Sequence, residues 1–164
     1  MLITPVQALS RPFVSVKETK EVSKNKTILR GFKIANIGLF IENNVVMELL
    51  DMPQVIPLPM VHQHCLGLIN LRGMISPVFD IRLSVLDEAP PFRWILMITE
   101  QEQRVAFVID DLPVQIAIDD VDHLDSIPNM PSIISPFISS GFRFNENEFY
   151  FKLDYHALLN SMKL

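Results

Sequence analysis

Cysteine is almost missing from this chain. Cys65 is the single one in 164 residues, so there is no disulfide framework and no need for an oxidising compartment. No thiol-nucleophile motif surrounds it, which makes a small buried hydrophobe the expected reading. Glycine is scarce: Gly31, Gly38, Gly67, Gly73 and Gly141 are the complete set. They are too dispersed to form a phosphate-cradling loop or a dinucleotide fingerprint, and no Gly-x-Ser-x-Gly elbow occurs. No apolar run approaches the ~20 residues that cross a bilayer. The opening residues lack the basic and apolar regions of a signal peptide. Basic charge is not in surplus either. A net charge of −5 argues against nucleic acid or an anionic membrane as the main partner. The expected location is the cytoplasm, without membrane insertion.

What is present is apolar bulk. A hydrophobic fraction of 49% with 20% charged residues is the composition of a globular protein. The length suits one domain of at most two small lobes, able to bury roughly 70% of its unfolded surface. The first residues stand apart. Pro5 and Pro12 break any early helix, and "KETKEVSKNK" sets Lys17, Lys20, Lys24 and Lys26 among Glu18 and Glu21. The expected division is an N-terminal arm over 1–30 and a body over 31–164.

The body reads as short strands and tight turns. "GFKIANIGLFI" changes phase near Asn36 and Gly38, the sign of a turn or bulge. "NNVVMELL" opens on an asparagine pair that suits a tight turn. "RWILMIT" and "RVAFVID" flank "EQEQ" as a hairpin whose apolar arms predict burial on both faces. "GFRF", "NENE" and "FYFKL" make a closing hairpin. Asp154 can cap a short terminal helix in which Ala157, Leu158 and Met162 share a face. Many short strands with one or two short helices give an all-β barrel or sandwich.

Residues 67–83, "GLINLRGMISPVFDIRL", show period-two alternation. The odd positions are apolar or small, while the even ones include Asn70, Arg72, Ser76, Asp80 and Arg82. Read as one half-buried strand, the run puts Leu71 in a core and Arg72 on the wet face. Pro77 demotes it to a sheet edge or a bulge.

Catalytic chemistry is hard to find. "HQHC" places His62 and His64 on one side of an extended chain beside Cys65, a pair that can ligate zinc. A structural zinc site needs about four ligands, and no second cluster is evident. The alternative function, a metal-dependent enzyme or zinc-binding protein, rests on His62, His64 and Cys65. "DDVDHLD" offers Asp119, Asp120, Asp122 and Asp125 but lacks the central glycine and terminal glutamate of a calcium loop, so it reads as a solvated acidic face. No cofactor is expected.

The run 67–83 closely resembles the signature of the CheW-like bacterial chemotaxis coupling proteins, in Asn70, Leu71, Arg72, Gly73, Pro77, Asp80 and Arg82, with Ile81 at the usual leucine. "VVMELLDMPQVIPLP" resembles the family's strand and proline-ended segment, with Glu48 at its glutamate. "RVAFVIDDL" resembles its aspartate-ended strand, and either Asp110 or Asp111 fits that aspartate. Phe107 stands where the family often has glycine. The end of the chain, "SPFISSGFRFNENEFYFKLDYHALL", resembles the couplers of the type IV pilus (twitching) system, the PilI-like branch.

The resemblance implies two small five-stranded SH3-like barrels sharing a core, with a short C-terminal helix. It implies a non-enzymatic adaptor that couples a chemoreceptor's cytoplasmic tip to the regulatory domain of a CheA-type histidine kinase. That domain has the same fold, but 164 residues hold no ATP-binding or phosphoacceptor domain, which argues against the kinase itself. The adaptor is expected to be a monomer in isolation and a member of membrane-anchored receptor arrays in the cell. The protein-binding residues it nominates are Val46, Glu48, Asn70, Leu71, Arg72 and Gly73. Glu48 and Arg72 are expected to lie together and orient part of the partner surface. Val45, Val46 and Leu71 fit an apolar contact or the core equally well.

Overall fold

The architecture is that of a computed structural model, which describes residues 27–42, 45–59, 63–118 and 122–161. The lysine-bearing stretch 17–26, the asparagine pair at 43–44, His62, Asp119, Asp120 and Met162 lie outside the described residues. Among the described residues, ten strands precede one short α-helix. They are β1 (Thr27–Ile34), β2 (Ile37–Ile41), β3 (Val46–Asp51), β4 (Cys65–Leu71), β5 (Met74–Phe79), β6 (Trp94–Glu100), β7 (Gln103–Ile109), β8 (Val114–Ile118), β9 (Ile138–Arg143) and β10 (Phe149–Leu153), then α1 (Tyr155–Ser161). β1 begins at Thr27, ahead of Gly31.

The strands form two five-stranded sheets, ordered β8-β1-β2-β10-β9 and β3-β6-β7-β5-β4. The second is one continuous stretch of chain inserted between β2 and β8 of the first. Each contains one parallel pair, β10 with β2 and β5 with β7. Each sheet curls around its own apolar interior. Leu29, Phe40, Ile116, Ile118 and Tyr150 fill the first; Ile69, Val78, Ile95, Met97, Ala106 and Val108 fill the second. A third and larger cluster joins the two. Phe32, Ile34, Leu39 and Ile41 of the first sheet meet Phe79, Leu96, Ile98, Val105, Phe107 and Ile109 of the second. Two barrels sharing a core is therefore the observed fold. It explains why β6 and β7 are apolar on both faces: Leu96 and Ile98 enter the shared cluster while Ile95 and Met97 enter the barrel.

Local chemistry sets the connections. The β1–β2 turn uses Ala35 and Asn36, both at positive φ (51° and 63°), the pattern of a type I′ hairpin turn. Asn36 N–H donates to Asp110 Oδ2 at 2.8 Å, and Asp110 N–H donates to the Lys33 carbonyl at 2.9 Å. Asp110, not Asp111, thus locks the first hairpin to the end of β7. Asp154 Oδ1 accepts from Ala157 N–H at 2.9 Å and caps α1, which buries Tyr155 and Leu158. Phe107 fills the shared core at 0% exposure, its ring 6.2 Å from that of Phe79.

The run 67–83 is not one strand. It is the β4–β5 hairpin, turned by Arg72 and Gly73. The register pairs Ile69 with Ser76 and Asn70 with Ile75, so an odd position always faces an even one. The barrel-facing side of β4 is odd; past the turn it becomes even. Hence Ser76 and Val78 point inward at 0% exposure while Ile75 is 66% exposed. Arg72 is exposed, but because it sits in the turn. Pro77 lies inside the sheet, yet the pairing of β5 with β7 starts only at Val78, so the missing N–H removes no bond on that side.

Asp80 and Arg82 also depart from alternation. Both are buried, at 4% and 2% exposure, in a two-pronged ion pair with Nε–Oδ1 at 2.9 Å and Nη2–Oδ2 at 2.8 Å. Arg82 Nη2 also donates to the Pro90 carbonyl at 3.0 Å. Removing one member of such a buried pair strands the other charge, at a cost of about 3–5 kcal/mol. These two residues shape the body.

Candidate functional site

The exposed tip of the second barrel is built on the β4–β5 turn. Arg72 has φ 55° and Gly73 φ 81°, again the type I′ pattern. Asn70 Oδ1 accepts from Gly73 N–H at 2.9 Å, so Asn70 holds the turn's shape from within. Leu71 and Met74 pair across it, and Leu71 packs half-buried on the barrel interior. Gly73 supplies conformation, not space: a Cβ there would meet nothing within 4 Å.

β3 supplies the opposing wall. Glu48 Oε1 lies 2.9 Å from Arg72 Nη1, with side-chain exposures of 30% and 75%. This ion pair spans the gap between β3 and β4, the two edges of the second sheet. Apolar residues flank the tip. Val46 is 62% exposed, Ile75 66% and Met74 42%. Single exposed hydrophobics are ordinary. Three exposed on the strands that carry the Glu48–Arg72 ion pair and its turn make a small mixed surface, able to bury apolar area and direct a polar contact at once.

Of the residues nominated from the sequence, Val46, Glu48, Arg72 and Gly73 meet at this tip with their functional groups or backbone accessible. Asn70 and Leu71 are there as supports. Met74 and Ile75, which the sequence reading does not nominate, are also exposed at this tip. Their signal is the hairpin register, which turns Ile75 onto the outer face beside Asn70.

The metal-ligand reading does not assemble among the described residues. His64 is 5% exposed, with its ring against Ser84 Oγ at 3.1 Å and Gln63 Nε2 at 3.0 Å. Cys65 faces elsewhere: its thiol donates to the Gly67 carbonyl at 3.7 Å and it belongs to the shared core. No group of three or more metal-ligating side chains occurs among the described residues. None of their helices is long and apolar enough to cross a membrane.

Comparison with known proteins agrees with this fold. No curated protein matches the chain in sequence. Among solved structures it is similar to the scaffolding protein TtCheW from Thermoanaerobacter tengcongensis, with a TM-score of 0.65 over 81% of this chain and 92% of that one, at 16% identity. At that identity the likeness is one of fold. The family model for the CheW-like domain matches residues 30–163, and on that match over most of its length the chain belongs to the CheW-like family.

Proposed function

We propose that this chain is a non-enzymatic chemotaxis adaptor whose second-barrel tip docks a protein partner, joining a chemoreceptor to a CheA-type histidine kinase. The observation that carries the reading is Arg72 held over Glu48 on a strained turn, amid exposed Val46, Met74 and Ile75. The positive φ at Arg72 is what a two-residue hairpin turn requires; what sets this turn apart is the ion pair beside exposed apolar side chains. The apolar residues supply contact area and the ion pair fixes orientation. An interface of this kind is small, at or below about 1,200 Å² in total. Repetition within an array makes up for modest individual affinity.

The likeness of residues 135–159 to the pilus branch supports type IV pilus signalling as the output. Affinity capture from the source cells tests both levels. The wild-type chain is expected to recover a histidine kinase and a receptor, and the kinase's other domains and partners identify the output. Arg72→Gly, which keeps the turn, and Glu48→Gln are expected to weaken capture about 10-fold, the effect of losing roughly 1.4 kcal/mol. Folded variants that capture at wild-type strength would refute the role of the tip. Recovery of neither protein by the wild type would refute the adaptor.

A further inference from the structure

The buried guanidinium of Arg82 has a spare arm. Its side chain is 3% exposed. Nε and Nη2 serve Asp80 and the Pro90 carbonyl, while Nη1 donates to none of the described residues. Ser76 Oγ is the one fully sealed polar side-chain atom among the described residues without a partner. Nη1 is therefore not sealed: it is the part of Arg82 that solvent reaches.

Arg82 lines a cavity of about 340 Å³. Asn36 lines it from the β1–β2 turn, Asp110 from the end of β7, Leu86 and Phe92 from the loop before β6, and Trp94 from β6 itself. The cavity is remote from the Arg72 tip. Trp94 pairs with Asp51 and Thr99 with Val46, about 17 Å apart along β3.

Charge decides what fits. Asp80 balances Arg82 at 2.8 Å and Asp51 balances Arg93 at 2.9 Å. Asp110 is in no ion pair among the described residues. Its Oδ2 accepts the Asn36 N–H at 2.8 Å, and its Oδ1 accepts from none of them. The cavity thus offers a charged donor, an uncompensated carboxylate and the half-buried Leu86, Phe92 and Trp94. A molecule that carries both a carboxylate and an ammonium group satisfies both polar groups. The volume is at the low end of ligand cavities, about 300–1,000 Å³, so that molecule is small. The wall is preset, because Pro90 and Pro91 stiffen the loop and Arg82 Nη2 ties it at 3.0 Å. Little ordering is then lost on binding.

We propose that this cavity binds a small apolar zwitterion, an α-amino acid with a hydrocarbon side chain. Its carboxylate accepts from Arg82 Nη1, its ammonium group donates to Asp110 Oδ1, and its side chain lies against Leu86, Phe92 and Trp94. The site is separate from the tip and does not depend on which proteins the adaptor joins.

Trp94 is the single tryptophan of the chain, so its fluorescence reports on the cavity. Titration with L-leucine is expected to give a saturable change, half complete at or below about 1 mM. N-acetyl-leucine lacks the ammonium group and leucinamide lacks the carboxylate. Each is expected to bind at least about 10-fold more weakly. Asp110→Asn keeps an acceptor for the Asn36 N–H and removes the charge. It is expected to weaken leucine about 10-fold and N-acetyl-leucine less than about 2-fold. The three compounds on the wild-type chain decide the question even if this variant does not fold. Leucine is also expected to shift the NMR signals of Asn36, Trp94 and Arg82 Nε–H. No saturable change up to about 20 mM leucine, an analogue that binds as tightly as leucine, or shifts confined to another face would each overturn the proposal.

Discussion

Arg72 occupies backbone space that most side chains avoid. At φ 55° it gives up roughly 1 kcal/mol relative to glycine. Its exposed ion pair with Glu48 returns about 0–1 kcal/mol. The two nearly cancel, so stability does not account for an arginine at this position. Arg72→Gly is expected to unfold in urea within about 1 kcal/mol of the parent, because relief of strain offsets the lost ion pair. Arg72→Ala keeps the strain and loses the pair, so it should fall about 1 kcal/mol below the glycine variant. An alanine variant as stable as the glycine one would show that the turn is unstrained. Asp80 and Arg82 are the contrast. Their spacing matches a wet face in an alternating strand, but β5 ends at Phe79 and a 3-10 turn follows over Arg82–Ser84. Alternation stops with the strand, and the pair turns inward.

The β4–β5 hairpin gives its two glycines different tasks. Gly67 has φ 142°, and a Cβ there would lie 2.1 Å from the Ile56 carbonyl oxygen, the acceptor for Leu68 N–H. Gly73 has φ 81° and open space around it. Gly67→Ala combines strain with a backbone clash and is expected to cost about 2–3 kcal/mol, while Gly73→Ala carries strain alone at about 1 kcal/mol. Thermal melts should separate them by at least roughly 2–4 °C. Equal melting temperatures would mean that the Ile56 cover on β4 is not needed. The strands here were legible as apolar alternation, and the turn residues were present as Arg-Gly. What alternation could not supply was the parity change. Both arms obey period two, and only the register assigns their opposite phases to one face.

The two barrels are joined chiefly by apolar packing. Phe107 reaches the shared cluster from β7, against Phe79. Polar contacts flank this core at the two ends of β7. Asp110 holds the β1–β2 turn at one. Across the β6–β7 turn at the other, Glu100 accepts the Tyr155 hydroxyl of α1. Burial first, then that hydrogen bond, raises the Tyr155 phenol well above its ordinary range. With one core between them, the barrels should unfold together. Phe107→Ala is expected to cost about 3–5 kcal/mol while leaving a single cooperative transition by circular dichroism and tryptophan fluorescence. Two separated transitions would show that each barrel is stable alone.

Sequence was enough for everything that depends on neighbours along the chain. Short apolar alternations, proline and glycine punctuation and the Asp154 cap make an all-β protein with a terminal helix, because those preferences act within a few residues. The Asn70–Gly73 motif and Glu48 could be nominated as types of residue. Long-range pairing settled the rest. It inserted one barrel into the other, brought Glu48 to Arg72 from separate strands, and turned Ile75 outward. It also sealed Asp80 and Arg82 inside. Those outcomes depend on which distant strands share a ladder and a core, and no local window of residues contains that information.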